Sequence, residues 1–188
     1  MVKPGKVFEE PSERIEVLAT PEETGDRYRV RATVDPGGGP GIRVFGAHIH
    51  TGLAEIFQCV SGTMTARLGR DISQLGPGNR LEVPPGIVHG FKNTGDEPLV
   101  LDVDMVFTPP GPRPEADPMA TSVAIEALAR DGKVSRRTGY PPMLQFAVIA
   151  EAHPKAVKFP GIAGLLMPPL AALGRLRGYK STFPEYDQ

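Results

Sequence analysis

Three of the four histidines in this 188-residue chain fall in two short segments. His48 and His50 lie two residues apart. Side chains two apart on a strand share a face, so both imidazoles can converge on one point. Glu55 follows beyond a potential turn at Thr51-Gly52, and His89 comes directly after Pro84-Pro85-Gly86 and two further residues. A lone His-x-His is weak evidence, because an isolated histidine is more often a surface or hydrogen-bonded residue. Three neutral imidazoles with one carboxylate, however, make a good donor set for a divalent transition metal. Such a set also leaves positions for water or substrate if the ion takes five or six ligands.

The elements that must position these groups read as strands. Tyr28, Val30, Ala32 and Val34 alternate with Arg27, Arg29, Arg31 and Thr33. Met64, Ala66 and Leu68 alternate with Thr63, Thr65 and Arg67, and Leu99, Leu101, Val103, Met105 and Phe107 repeat the pattern. This is the period of half-buried strands. With 22 Gly and 21 Pro, turns are plentiful, and 47 Leu, Ile, Val and Phe residues suffice for a core. Residues 1–13 have no period and read as a loose arm. Residues 14–110 read as a β domain, and residues 111–188 as the end of a Pro-rich linker (108–115) followed by a helical tail. In the tail the pattern predicts a helix capped at Asp117 or Thr121 and running to Arg130. A second is expected from Leu144 to Ala152, and a third from Gly164 to Leu176, interrupted by Pro168-Pro169.

Residues 41–62 resemble the first motif of the cupin superfamily, with His48, His50, Glu55 and Gly62 in register and the leading Gly41 one residue out of place. Residues 78–93 resemble the second motif, with Gly78, Pro84, Gly86, His89 and Asn93 at its spacing. The resemblance covers about half the chain and leaves the tail outside. It implies a mainly β fold, a small jelly-roll β-barrel (a double-stranded β-helix), here followed by C-terminal helices. It also implies one divalent metal ion (Fe, Mn, Ni, Co, Cu or Zn) held by His48, His50, Glu55 and His89. Members include dioxygenases, isomerases, epimerases, decarboxylases, storage proteins and ligand sensors, so the fold does not name the reaction.

Extending the period-2 argument from the ligands brings Phe57, Met64, Phe91 and Met105 to the same interior. That cavity is expected to be mostly apolar, suited to a small, partly apolar ligand offering an oxygen to the metal. No Lys or Arg clearly faces inward, which disfavours a phosphorylated sugar. Cys59 reads as buried filler. Two functions follow: a metalloenzyme of oxygenase or isomerase type, or a non-catalytic ligand-binding or sensing protein.

The formal charge of -1 gives no electrostatic footprint for nucleic acid. The start has no apolar core like that of a signal peptide, and the longest apolar stretch, residues 161–173, is too short and too broken to span a bilayer. The expected compartment is the cytoplasm. The apolar tail is expected to pack on the barrel or on a second subunit, which points to a homodimer. All four candidate ligands precede the linker, so a chain cut near residue 140 is expected to keep its metal site.

Overall fold

The computed structural model of the chain describes residues 2–10, 12–39, 47–135 and 138–183; the expected motif glycine Gly41 lies outside these. The strands are β1 (Val7–Glu10), β2 (Glu13–Ala19), β3 (Arg27–Val34), β4 (Leu53–Ser61), β5 (Met64–Leu68), β6 (Asp71–Leu75), β7 (Arg80–Val83), β8 (His89–Asn93) and β9 (Leu99–Phe107). A one-turn helix α1 (Pro21–Thr24) joins β2 to β3, and the tail holds α2 (Met119–Arg130), α3 (Met143–Ala152) and α4 (Gly161–Leu176).

The strands form a six-stranded sheet, in the order β1-β2-β3-β9-β4-β7, and a three-stranded sheet, β6-β5-β8. All the strand pairs are antiparallel. The alternating residues behave as their period demands. Tyr28, Val30, Ala32 and Val34 of β3 are buried, as are Leu99, Leu101, Val103 and Phe107 of β9. Met64 and Ala66 of β5 join the same core, which therefore lies between the two sheets. On the outer face the register sets Arg29 opposite Asp104 and Arg31 opposite Asp102. Each guanidinium meets its carboxylate through two hydrogen bonds, the shorter ones at 2.6 and 2.7 Å.

Three features differ from the expectations. Among the described residues the sheets face each other without closing into one continuous barrel. A bridge between His48 and His89 connects the first motif to the small sheet. β6 is an edge strand of the small sheet, and its residues are almost all exposed. Secondly, residues 7–10 of the arm are not loose. They pair with β2, and Lys6 Nζ reaches Glu126 Oε2 of α2 at 2.7 Å. With only Val7 and Phe8 apolar, that strand is too short to show a period. Thirdly, α4 runs through Pro168 and Pro169 without interruption. Both prolines lie on its exposed side, where the carbonyls left without donors face water.

The tail packs as layers. Ile149 of α3 meets Ala124 and Leu128 of α2, while Phe146 and Val148 cluster with Met167 and Ala171 of α4. α3 is thus covered on two sides, which accounts for its six successive buried residues, Gln145 to Ala150. The opposite face of α4 is uncovered: Ile162, Leu165 and Leu176 are 75%, 77% and 86% exposed. Within one chain, then, only one face of this helix is packed, and the expected packing of the tail on its own chain holds for that face.

The motif residue Asn93 is fully buried and serves the fold. Its Nδ2 donates to the carbonyls of Val34 (2.9 Å) and Glu97 (2.8 Å), and its Oδ1 accepts from the Gly95 N–H at 3.0 Å. Gly62, at φ +84°, turns β4 into β5 where a Cβ would lie 2.7 Å from Leu99 Cα, so only glycine fits. Asn93→Ala would leave three backbone groups without this partner, of which the Val34 carbonyl is buried, and is expected to destabilise the fold by about 1–3 kcal/mol. Urea melts of wild type and variant measure this.

Candidate metal centre

His48 and His50 sit on a short extended segment just before β4, Glu55 is the third residue of β4, and His89 opens β8. Backbone bonds hold them together. His48 and His89 exchange N–H···O bonds of 2.9 Å in both directions. The Pro84-Pro85-Gly86 turn places the Gly86 N–H on the His50 carbonyl at 2.7 Å, with Gly86 at φ +84°. All four side chains are buried, and one potential ligand atom from each lies within 4.8 Å of the others.

The ring orientations are specific. His50 Nδ1 faces the Ala156 carbonyl, and His89 Nδ1 lies 2.9 Å from the Ile87 carbonyl. A carbonyl only accepts, so each Nδ1 carries the hydrogen, and each Nε2 of the neutral ring keeps its lone pair. Those Nε2 atoms point to a common centre. His48 Nε2 and His50 Nε2 are 3.0 Å apart, His50 Nε2 and Glu55 Oε2 3.4 Å, and His89 Nε2 and Glu55 Oε2 2.7 Å. Neither His89 Nε2 nor Glu55 Oε2 makes a directed hydrogen bond. Buried lone pairs that close repel unless a cation, a proton or a metal ion, lies between them. An ion about 2.1 Å from each donor separates neighbouring donors by about 3.0 Å at right angles and about 3.4 Å in a tetrahedron. The N3O set therefore fits a transition-metal ion.

The electrostatics agree. Burial disfavours the Glu55 charge, but His50 and His89 beside it outweigh burial and hold its carboxyl well below the usual range. Burial, with His50 and His89 nearby, pushes His48 well below 6.5 and keeps it neutral. Burial also opposes charge on His50, yet Glu55 and the Ala156 carbonyl raise its pKa above 6.5.

A cavity of about 140 Å³ adjoins the cluster. Phe57, Phe91 and Met105 line it together with Val30, Ala32 and Val103. Met64 is buried on β5 opposite Asn93 and is not part of this lining. The far end is more polar than the period-2 argument foresees: Glu10, Glu13, Ser122 and Tyr140 line it, with the Tyr140 hydroxyl donating to Glu10 Oε2 at 3.1 Å. Glu13 shares the inward register of β2 with Val17 and could have been found by the same alternation. Ser122, Tyr140, Phe146 and Ala156 come from the tail and carried no signal. Cys59 is buried next to the carbonyls of Ser61 and Gly62, and burial pushes its thiol pKa up, as suits filler. A larger cavity of about 480 Å³, between residues 2–6 and α2, contains none of the four candidate ligands.

Residues 30–108 match the family model Cupin_2, described as a cupin domain. The match takes in both histidine-bearing segments and ends before the helical tail. Over 80 residues the chain is 38% identical to the mannose-1-phosphate guanylyltransferase of Escherichia coli K12; the match covers 42% of this chain and only 16% of that enzyme. Among solved structures, KdgF from Halomonas sp. aligns at 23% identity and a TM-score of 0.45, over 54% of this chain and 86% of its own. A predicted oxalate decarboxylase from Thermotoga maritima aligns at 19% identity and 0.49, over 57% and 98%. An RmlC-like cupin from Shewanella frigidimarina aligns at 17% and 0.45, over 54% and 83%. The α2–α4 tail lies beyond the region matched by the family model.

Protons compete with a metal for the imidazoles, and the charge of Glu55 and the Ala156 carbonyl raise the pKa of His50. Zinc affinity should therefore begin to fall above pH 6.5 on acidification, by about tenfold per pH unit once His50 is protonated in the metal-free protein. Chelator competition between about pH 8 and pH 5.5 measures this. Affinity constant over that range would contradict ligation by His50.

Proposed function

We propose that this protein binds one divalent transition metal through His48, His50, Glu55 and His89, and uses it on a small, partly apolar molecule held in the adjoining cavity. The observation that carries this is the convergence of buried Nε2 atoms on Glu55 Oε2 with no directed hydrogen bond to satisfy the His89–Glu55 contact. Iron, manganese, nickel, cobalt, copper and zinc all suit the N3O donor set. A bound ion would supply Lewis acidity and, if redox-active, one-electron chemistry.

The chain's own residues set the rest. His50 and His89 hold their Nε2 lone pairs inward through the Ala156 and Ile87 carbonyls. Phe57, Phe91, Val103 and Met105 keep water away from the apolar body of a ligand. Glu10, Ser122 and Tyr140 offer hydrogen bonds to its far end. No Lys or Arg lines the cavity among the described residues, so a phosphorylated substrate finds no side-chain counter-charge. This favours oxygenase or isomerase chemistry on an unphosphorylated small molecule. The division into a barrel of residues 14–110 and a tail of 111–188, and a cytoplasmic location, belong to the same reading. Among the described residues no helix is long and apolar enough to cross a membrane.

Elemental analysis of untagged protein tests the centre. His50→Ala and Glu55→Gln are each expected to lose most of the metal while remaining folded; wild-type metal content in both would refute the four-ligand site. An anaerobic ligand screen with oxygen uptake then separates the roles. Iron with oxygen uptake supports an oxygenase. Ligand binding without turnover supports the non-catalytic alternative, a sensor or binding protein.

We also propose a homodimer formed through α4. Ile162, Leu165, Leu166, Pro169, Leu173 and Leu176 fall within an arc of about 100° on the helix, opposite the face packed on α3. Leu165→Asp is expected to halve the mass seen by sedimentation, leaving metal content unchanged. A wild type that is already monomeric would sink this assembly.

A further inference from the structure

The first-motif segment is hydrogen-bonded along both edges, and one edge belongs to the tail. On one side its partners are His89 and Gly86. On the other side Ile49 and Lys158 exchange N–H···O bonds of 2.9 and 2.8 Å, and the N–H groups of Thr51 and Gly52 donate to the Lys155 carbonyl at 3.1 and 3.0 Å. Lys155 is itself anchored, its N–H donating to the Glu115 carbonyl at 2.9 Å. Between these contacts the Ala156 carbonyl accepts the His50 Nδ1–H. Gly52 is the close-approach point: a Cβ there would lie 2.6 Å from Ala116 Cβ and 2.8 Å from Lys155 Cβ.

We infer that residues 155–158 of the tail are a positioning strand of the metal centre, fixing the tautomer and aim of His50 through the Ala156 carbonyl. The inference rests on the reading of the four side chains as metal ligands. The residues from outside the family-matched region thus complete the centre. Without that carbonyl, the buried Nδ1 of His50 would lack its acceptor, and the ring would be free to turn its Nε2 away. Outer partners of ligating histidines typically change metal affinity by about 10- to 100-fold. A chain cut near residue 140 should then lose the centre, the reverse of what the position of the linker implies.

Full-length variants test this. Lys158→Pro removes the N–H that binds Ile49, whereas Lys158→Ala, at an exposed side chain, keeps it. Gly52→Ala pushes Lys155 away and is the second route should the proline variant fail to fold. Cobalt(II) titration, read by its visible absorption, gives affinity. Nitrogen-15 shifts of the His50 ring in metal-free protein give the tautomer. Expected results are wild-type behaviour for Lys158→Ala, and cobalt binding weakened about tenfold or more for Lys158→Pro and Gly52→Ala. In both of these His50 should lose its single Nδ1–H form. Folded Lys158→Pro and Gly52→Ala proteins with unchanged affinity and tautomer would overturn the positioning role. A wild type that binds no cobalt refutes the metal reading instead, and the tautomer measurement still decides whether the tail orients His50.

Discussion

Everything about the centre depends on a short extended segment, His48 to Gly52, being hydrogen-bonded on both edges. One edge is closed by β8 and the turn that leads into it, the other by residues 155–158. A strand paired along both edges cannot twist without breaking backbone bonds, and alternation then sends His48 and His50 to one side. Glu55 arrives from β4 of the large sheet and His89 from the edge of the small one. The centre lies where the two sheets meet.

That position has an electrostatic consequence. A carboxylate buried among apolar side chains is costly unless it is paired. Glu55 keeps its charge because His50 and His89 flank it, and these two rings in turn are aimed by carbonyls that only accept. The same geometry that stabilises the charge leaves inward lone pairs with no hydrogen bonds of their own. Replacing a buried ionic cluster by apolar side chains is often neutral or stabilising, so packing alone does not account for these four residues.

The tail does more than cover the sheets. α3 is consumed by packing between α2 and α4, and the residues on either side of it deliver Tyr140 and Ala156 to the cavity. α4 then has one apolar face to spare. A helix carrying two apolar faces is suited to lie between two bodies, one of which is α3.

The four candidate ligands, the inward residues of β3, β4 and β9, and the turn glycines Gly62 and Gly86 were legible in the sequence alone. The two glycines stand at positions of the motifs that the sequence resembles; the rest depends on local rules, a period of two on strands and metal chemistry carried by residue type. α2 and α3 were legible for the same reason, to within a few residues at their ends. What the tertiary structure decided depends on long-range partners. Whether the sheets close, whether Val7–Glu10 finds β2, and which face of α4 is buried are settled by what lies opposite, and periodicity says nothing about that. Asn93 could be recognised as a motif residue, but only its contacts with Val34, Gly95 and Glu97 show that it holds the fold. The Ala156 carbonyl is the extreme case. Every residue has a backbone carbonyl, so no residue type marks it, and only the path of the chain brings this one to His50, 106 residues away.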